Sequence, residues 1–272
     1  MLRIGEIRYL NCTPIFSVLR ERYNDPAYRF VQGTPSNLNG RLRSGEIDLC
    51  PSSSIEYGRN PDSYLILPDL SISADGPVLS VLLFSRVPVE QLDRCRIALT
   101  DESETSVALL KIILGRIYGF TNDYDVISSG VSEALMSHDA VLLIGDRALR
   151  ENLSAGHCHV YDLGELWRGI TGYPFVFALW LARKELLSGS GGELTLLHSR
   201  LLQAKRISLE NIVRIADETA QNDWTSREFL INYWRVLSYD LSPRHISGLR
   251  LYFRYAVECG LLEKEPVIRM FE

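Results

Sequence analysis

Several short stretches of this sequence combine hydroxyl, amide and glycine residues in the way an anion-binding cleft requires. Asp101-Glu102-Ser103-Glu104-Thr105-Ser106-Val107 closes one apolar run and opens another with helical spacing. The first turn of a helix leaves backbone N–H groups free, and its dipole favours negative charge there. Hydroxyls at Thr105 and Ser106 would add donors for a carboxylate. The plain structural alternative is capping of that helix by Ser103. Ser52-Ser53-Ser54 puts a second hydroxyl cluster at a strand-to-helix turn, with capping again the alternative. In Ile144-Gly145-Asp146, Gly145 would let backbone approach a ligand closely, while Asp146 has the alternative of capping the next helix. Ser80 sits inside an apolar run, where a buried hydroxyl needs a partner, commonly backbone. Asn11, in Tyr9-Leu10-Asn11, offers donor and acceptor together and suits a leaving hydroxyl or a water. Its alternative is a turn residue.

Other chemistries lack their signatures. The sequence holds no GxGxxG, no Walker A and no HExxH motif. His157 and His159 form an HxH pair without a companion ligand nearby, so no metal site is expected. Cys12, Cys50, Cys95, Cys158 and Cys259 are widely spaced, with no CxxC pair. They read as free thiols in a reducing compartment, not as a disulfide framework or a zinc site.

The elements that must position these residues alternate. A strand begins at Leu2, and Asn11-Cys12-Thr13-Pro14 turns into a helix that ends near Tyr23. A strand over 28–33, a helix from Pro35, a strand over 47–50 and a short helix through Tyr57 follow. This β-α-β-α-β order predicts a mostly parallel sheet with helices on its faces. Ligands then sit outside the carboxyl ends of the strands, where Asn11 and Ser52–Ser54 lie. Further strands are expected over 65–70 and 78–84. A second β-α-β-α-β block begins near Cys95, and its first helix carries a wide apolar stripe through Ala108, Ile112 and Ile113. An apolar strand over 175–182 returns the chain to the first sheet. Helices over 194–205, 209–223, 227–237 and 243–259 complete it. Thr225 with Glu228 fits a capping box, and Ser242-Pro243 an N-cap with proline in the first turn. The expected architecture is an α/β clamshell with an inserted second domain and a helical C-terminal tail. Its first lobe spans 1–86 and 178–272 and its second 87–177.

The composition agrees with a globular enzyme or binding protein: 46% hydrophobic residues can bury a sizeable core. With 29 basic and 34 acidic residues the net charge is −5, which argues against a nucleic-acid partner. No stretch reaches the roughly 18 apolar residues of a membrane span, and the N-terminus lacks an apolar h-region. A cytoplasmic protein with a small anionic ligand and no membrane partner is expected. Oligomeric state is left open.

The ordered motifs resemble a known family. Gly5-Glu6-Ile7-Arg8-Tyr9-Leu10-Asn11-Cys12-Thr13-Pro14 is similar to the opening signature of the futalosine-pathway menaquinone-biosynthesis family (MqnA/MqnD), typified by chorismate dehydratase. Pro68-Asp69, Gly76-Pro77-Val78-Leu79-Ser80-Val81, Thr105-Ser106-Val107 and Leu143-Ile144-Gly145-Asp146-Arg147-Ala148-Leu149 follow in the family's order. Trp167 with Thr171-Gly172-Tyr173-Pro174-Phe175-Val176-Phe177-Ala178 completes the set, which covers nearly the whole chain. The resemblance implies a type II periplasmic-binding-protein-like fold, loss of water from chorismate, and no metal or organic cofactor. It implies catalytic roles for Asn11 and Ser80, and substrate contacts at Ser53, Ser54, Thr105, Ser106, Gly145 and Asp146. It also leaves the sibling 1,4-dihydroxy-6-naphthoate synthase, for which an active-site histidine is expected, and a non-catalytic carboxylate receptor as alternatives.

Overall fold

The computed structural model describes residues 1–154, 156, 158–220 and 224–272. His157 and the 221–223 end of the helix expected over 209–223 lie outside the described residues. The first lobe opens with β1 (Leu2–Ile7), α1 (Thr13–Arg22), β2 (Tyr28–Gly33), α2 (Pro35–Ser44), β3 (Leu49–Ser53), α3 (Ser54–Arg59) and β4 (Tyr64–Ala74). The second lobe holds β5 (Val81–Ser85), β6 (Arg96–Leu99), α4 (Glu104–Lys111), β7 (Asp123–Val126), α5 (Val131–Ala134), β8 (Ala140–Ile144), α6 (Gly145–Asn152), β9 (His159–Asp162) and α7 (Leu163–Thr171). The chain returns through β10 (Phe175–Arg183) to a tail of α8 (Gly191–Glu210), α9 (Ile212–Thr219), α10 (Arg227–Val236) and α11 (Pro243–Glu258).

Each lobe is built on a five-stranded sheet, ordered β2-β1-β3-β10-β4 and β7-β6-β8-β5-β9. β1 runs parallel to β2 and β3, and β6 parallel to β7 and β8. The remaining pairs, those of β10 and β5, are antiparallel. The sheets are therefore mixed, where alternation of strand and helix predicted mostly parallel ones. β5 and β10 each enter straight from the other lobe, without the helical crossover that a parallel neighbour needs. β5 also lies in the second sheet, although the expected boundary at 86/87 left its residues with the first. The first crossing falls between Ala74 and Val81 and the second between Thr171 and Phe175.

β10 is buried along its length except at Arg183, as a strand covered on both faces must be. The tail closes the open edge of β4: Ser71 N donates to Tyr239 O at 3.0 Å, and Ser73 N to Ser238 O at 2.9 Å. The N-cap of α10 is Ser226, whose hydroxyl accepts from Phe229 N, and not Thr225. Ser242 caps α11 in a box completed by His245.

The clamshell is closed. Leu10 N donates to Asp146 Oδ1 at 2.9 Å, Ile55 N to Thr105 Oγ1 at 3.1 Å, and Ser36 Oγ to Asp101 O at 2.8 Å. Arg59 and Glu104 form an ion pair across the same seam. Among the described residues, no helix is long and apolar enough to cross a membrane.

Candidate active site

Between the lobes lies a small cavity, with about 50 Å3 open to the centre of a water molecule, at the carboxyl ends of β1, β3 and β8. Ile7, Ile72, Val78 and Phe177 supply apolar walls; Asn11, Ser53, Ser80, Ser103 and Ser106 supply polar groups. No Asp, Glu, Lys, Arg or His side chain lines it among the described residues. A ligand here meets neutral donors and backbone N–H groups in a site largely withdrawn from water, where each is worth more than at the surface.

The turn after β1 brings Tyr9 and Asn11 to this cavity. Tyr239 OH donates to Asn11 O at 2.8 Å, and Trp234 Nε1 to Leu10 O at 2.7 Å. With its backbone held from behind, Asn11 leaves its buried Oδ1 without a hydrogen-bond partner among the described residues. The Tyr9 hydroxyl is likewise unpartnered. Burial, then the charge of nearby Glu102, pushes the Tyr9 phenol well above its ordinary range, so it stays protonated and able to donate.

Ser80 arrives on the crossing segment. Leu79 takes a positive φ of 62°, costly for a leucine. Asp162 over-determines that turn: its carboxylate accepts from Val78 N at 2.9 Å and Leu79 N at 2.6 Å, and also caps α7 through Gly164 N and Glu165 N. Burial pushes the Asp162 carboxyl up, while these four N–H groups pull it down. Ser80 Oγ itself accepts from Tyr233 OH at 2.9 Å and donates to Val78 O at 3.3 Å.

Gly145 also lines the cavity, at a φ of 62°. Its missing side chain makes room for Tyr9, whose ring would lie 2.9 Å from an added Cβ. Ser103 and Ser106 share a hydrogen bond of 2.9 Å at the start of α4, and Ser103 also accepts from Ser106 N as N-cap.

Three residues expected at the ligand are spent elsewhere. Thr105 is fully buried and gives its hydroxyl oxygen to Ile55 N; Ser54 Oγ donates to Val176 O at 2.6 Å. Asp146 reaches across to Leu10 N and does not cap α6, whose N-cap is Ile144. Burial pushes its carboxyl up to about 6. Asn11, Ser53, Ser80, Ser106 and Gly145 are brought together around one cavity. Sequence reasoning missed Tyr233, Trp234 and Tyr239. They fall on the buried face of an amphipathic helix and just after it, and aromatic residues there read as core. No cluster of three or more His, Cys, Asp or Glu side chains suited to a metal occurs among the described residues.

A model of the menaquinone biosynthesis family matches residues 2–258. The chain belongs to this family. Within curated proteins, a chorismate dehydratase from Thermus thermophilus is 33% identical over 264 residues, 92% of this chain and 93% of that protein. The fold of this family member is that of the periplasmic binding proteins. It superposes on protein AF1704 from Archaeoglobus fulgidus with a TM-score of 0.73 at 18% identity, covering 96% of this chain and 98% of that one. The alkanesulfonate-binding protein SsuA from Xanthomonas axonopodis, bound to MOPS, gives 0.73 at 16% identity over 98% and 96%. The aliphatic sulphonate-binding protein of Escherichia coli gives 0.71 at 16% over 100% and 92%.

Proposed function

We propose that this protein is a cytoplasmic chorismate dehydratase: it eliminates water from chorismate to give 3-enolpyruvylbenzoate for menaquinone biosynthesis. The observation that carries the reading is a cavity between the lobes with hydroxyl and amide groups at its wall and no charged side chain among its described lining residues. Chorismate is a dianion whose ring loses one proton and one hydroxyl group to become aromatic. Aromatisation supplies most of the driving force, so positioned neutral donors suffice where a harder elimination needs a strong acid and base. In this reading, Asn11 and Ser80 hold the departing hydroxyl, and Ser103, Ser106 and the N-terminal turn of α4 take a carboxylate. The ring proton passes to a carboxylate of the substrate itself, which hands it on to the departing hydroxyl; the C–H and C–O bonds break, water leaves, and the product remains a dianion. The 33% identity to the Thermus chorismate dehydratase supports the same substrate.

The test is incubation of the purified protein with chorismate and mass spectrometry of the products. A product lighter by one water, matching 3-enolpyruvylbenzoate, is expected. Binding of chorismate without turnover would make the protein a receptor. Turnover of a cyclic futalosine derivative instead would make it the sibling synthase, against which the lack of a histidine among the described residues of the cavity wall argues.

A further inference from the structure

The tail helix α10 meets the candidate site from behind, and one of its side chains touches a cavity group directly. Tyr233 is 1% exposed and donates its only hydroxyl proton to Ser80 Oγ at 2.9 Å. Ser80 is 2% exposed, and its own proton points to Val78 O, two residues back, at 3.3 Å. That second bond is long for O–H···O, whose usual range ends near 3.0 Å. The oxygen of Ser80 is thus firmly supplied with a donor, while its proton is weakly engaged and next to the cavity.

We infer that Tyr233 is a positioning residue for the dehydration: by filling one lone pair of Ser80 it frees the Ser80 proton to turn from Val78 O to an oxygen of the bound substrate. The inference rests on the dehydratase reading. A hydroxyl that accepts one hydrogen bond also donates a stronger one, so the pair acts as a polarised donor towards the leaving oxygen. No bond is made or broken at Tyr233. Burial holds its phenol well above the ordinary tyrosine range, opposed by the bond to Ser80 and reinforced by the charge of Asp146, so it remains a donor and does not become an acid. The ring is fixed in turn by its neighbours. Phe229 stacks against it with 6.4 Å between centroids, and adjacent Trp234 is tied to Leu10 O.

The test is a double-mutant cycle read in kcat and KM. Tyr233→Phe keeps the ring and removes the hydroxyl. It is expected to lower kcat roughly tenfold, the size of one lost hydrogen bond, with KM within about twofold. In a Ser80→Ala background the same change is expected to cost nothing further, because the group it positions is gone. Tyr57→Phe is the control: it removes another buried phenol, bonded to Val267 O at 2.8 Å and not part of the cavity lining, and kcat should not move. If Tyr233→Phe does not fold, 3-fluorotyrosine at position 233 keeps the hydroxyl and strengthens it as a donor, and kcat should rise. Unchanged kcat in the folded Phe variant, an equal loss with and without Ser80, or an unmoved kcat with fluorotyrosine would overturn the inference. Those outcomes are read against a wild-type protein that forms product, so they leave the dehydratase reading standing. A wild-type protein that forms none overturns that reading and this role with it.

Discussion

Asn11 combines a backbone fixed from behind with a side-chain oxygen left free inside the closed cleft. A buried amide without a partner carries a desolvation cost that a bound ligand would relieve. Asn11→Ala removes that oxygen and the Nδ2 donor with it, and should lower kcat about 100-fold or more, the size seen when one preorganised donor is removed from a reacting oxygen. Chorismate binding, followed by calorimetry, should persist; wild-type turnover by this variant would remove Asn11 from the mechanism. Asp146 calls for a pH experiment. Burial raises its carboxyl to about 6, opposed by the Leu10 N–H and by Arg150 and reinforced by Glu102. An unfolded aspartate titrates near 3.9. Between those values the folded protein holds a proton that the unfolded chain has lost, so this group lowers stability as pH rises from about 4 to 6. Asp146→Asn keeps an oxygen for Leu10 N and removes the charge. It should flatten this slope and add about 1–2 kcal/mol at pH 8 in denaturant unfolding. An unchanged slope would mean that the carboxyl is solvated in solution. At this scale the sequence was legible where a residue's position at a strand end decides its surroundings, as for Asn11 and Gly145. It was not legible for Thr105, whose partner Ile55 is 50 residues away and contributes only a backbone N–H.

Among the elements, the strands and helices that carry the cavity follow from apolar spacing, because each is amphipathic or fully buried over its own length. Sheet membership does not. β5 is buried at every position, and such a strand looks the same whichever sheet it joins. Only its hydrogen bonds to β8 and β9 assign it to the second lobe. Caps show the same limit on a smaller scale. Thr225 and Ser226 are adjacent hydroxyl residues before one helix, and the backbone angle selects Ser226, which is extended at φ −84° and ψ 160°. Ser226→Ala should cost about 1 kcal/mol in thermal unfolding, typical of a lost N-cap. A null effect would mean that the end of α10 is held by its packing alone. Since α10 carries Tyr233 and Trp234, fraying at this end should also lower kcat.

At the scale of the whole molecule, two lobes are held shut by contacts spread over several pairs of elements. The α3–α4 contact is the most buried of them: Ile55 N donates to Thr105 Oγ1, with both residues fully buried. The two-lobed plan was legible from two successive β-α-β blocks and a returning strand, but closure was not, because it depends on how the lobes meet. Thr105→Val keeps the shape of the side chain and removes the acceptor, leaving the Ile55 N–H unsatisfied in the closed form. That penalty, about 1–3 kcal/mol, falls on the closed form alone, since water can reach the N–H once the lobes part. The closed population should shrink, and apparent affinity should fall in proportion to the competent fraction. KM should thus rise roughly 5- to 100-fold while kcat at saturation stays near wild type, because bound substrate restores closure. Small-angle scattering of the free variant should show a larger radius of gyration than wild type, and saturating ligand should remove the difference. A fall in kcat without a rise in KM would instead make Thr105 a direct contact of the reacting substrate, with its hydroxyl turned from Ile55 to the ligand during the reaction.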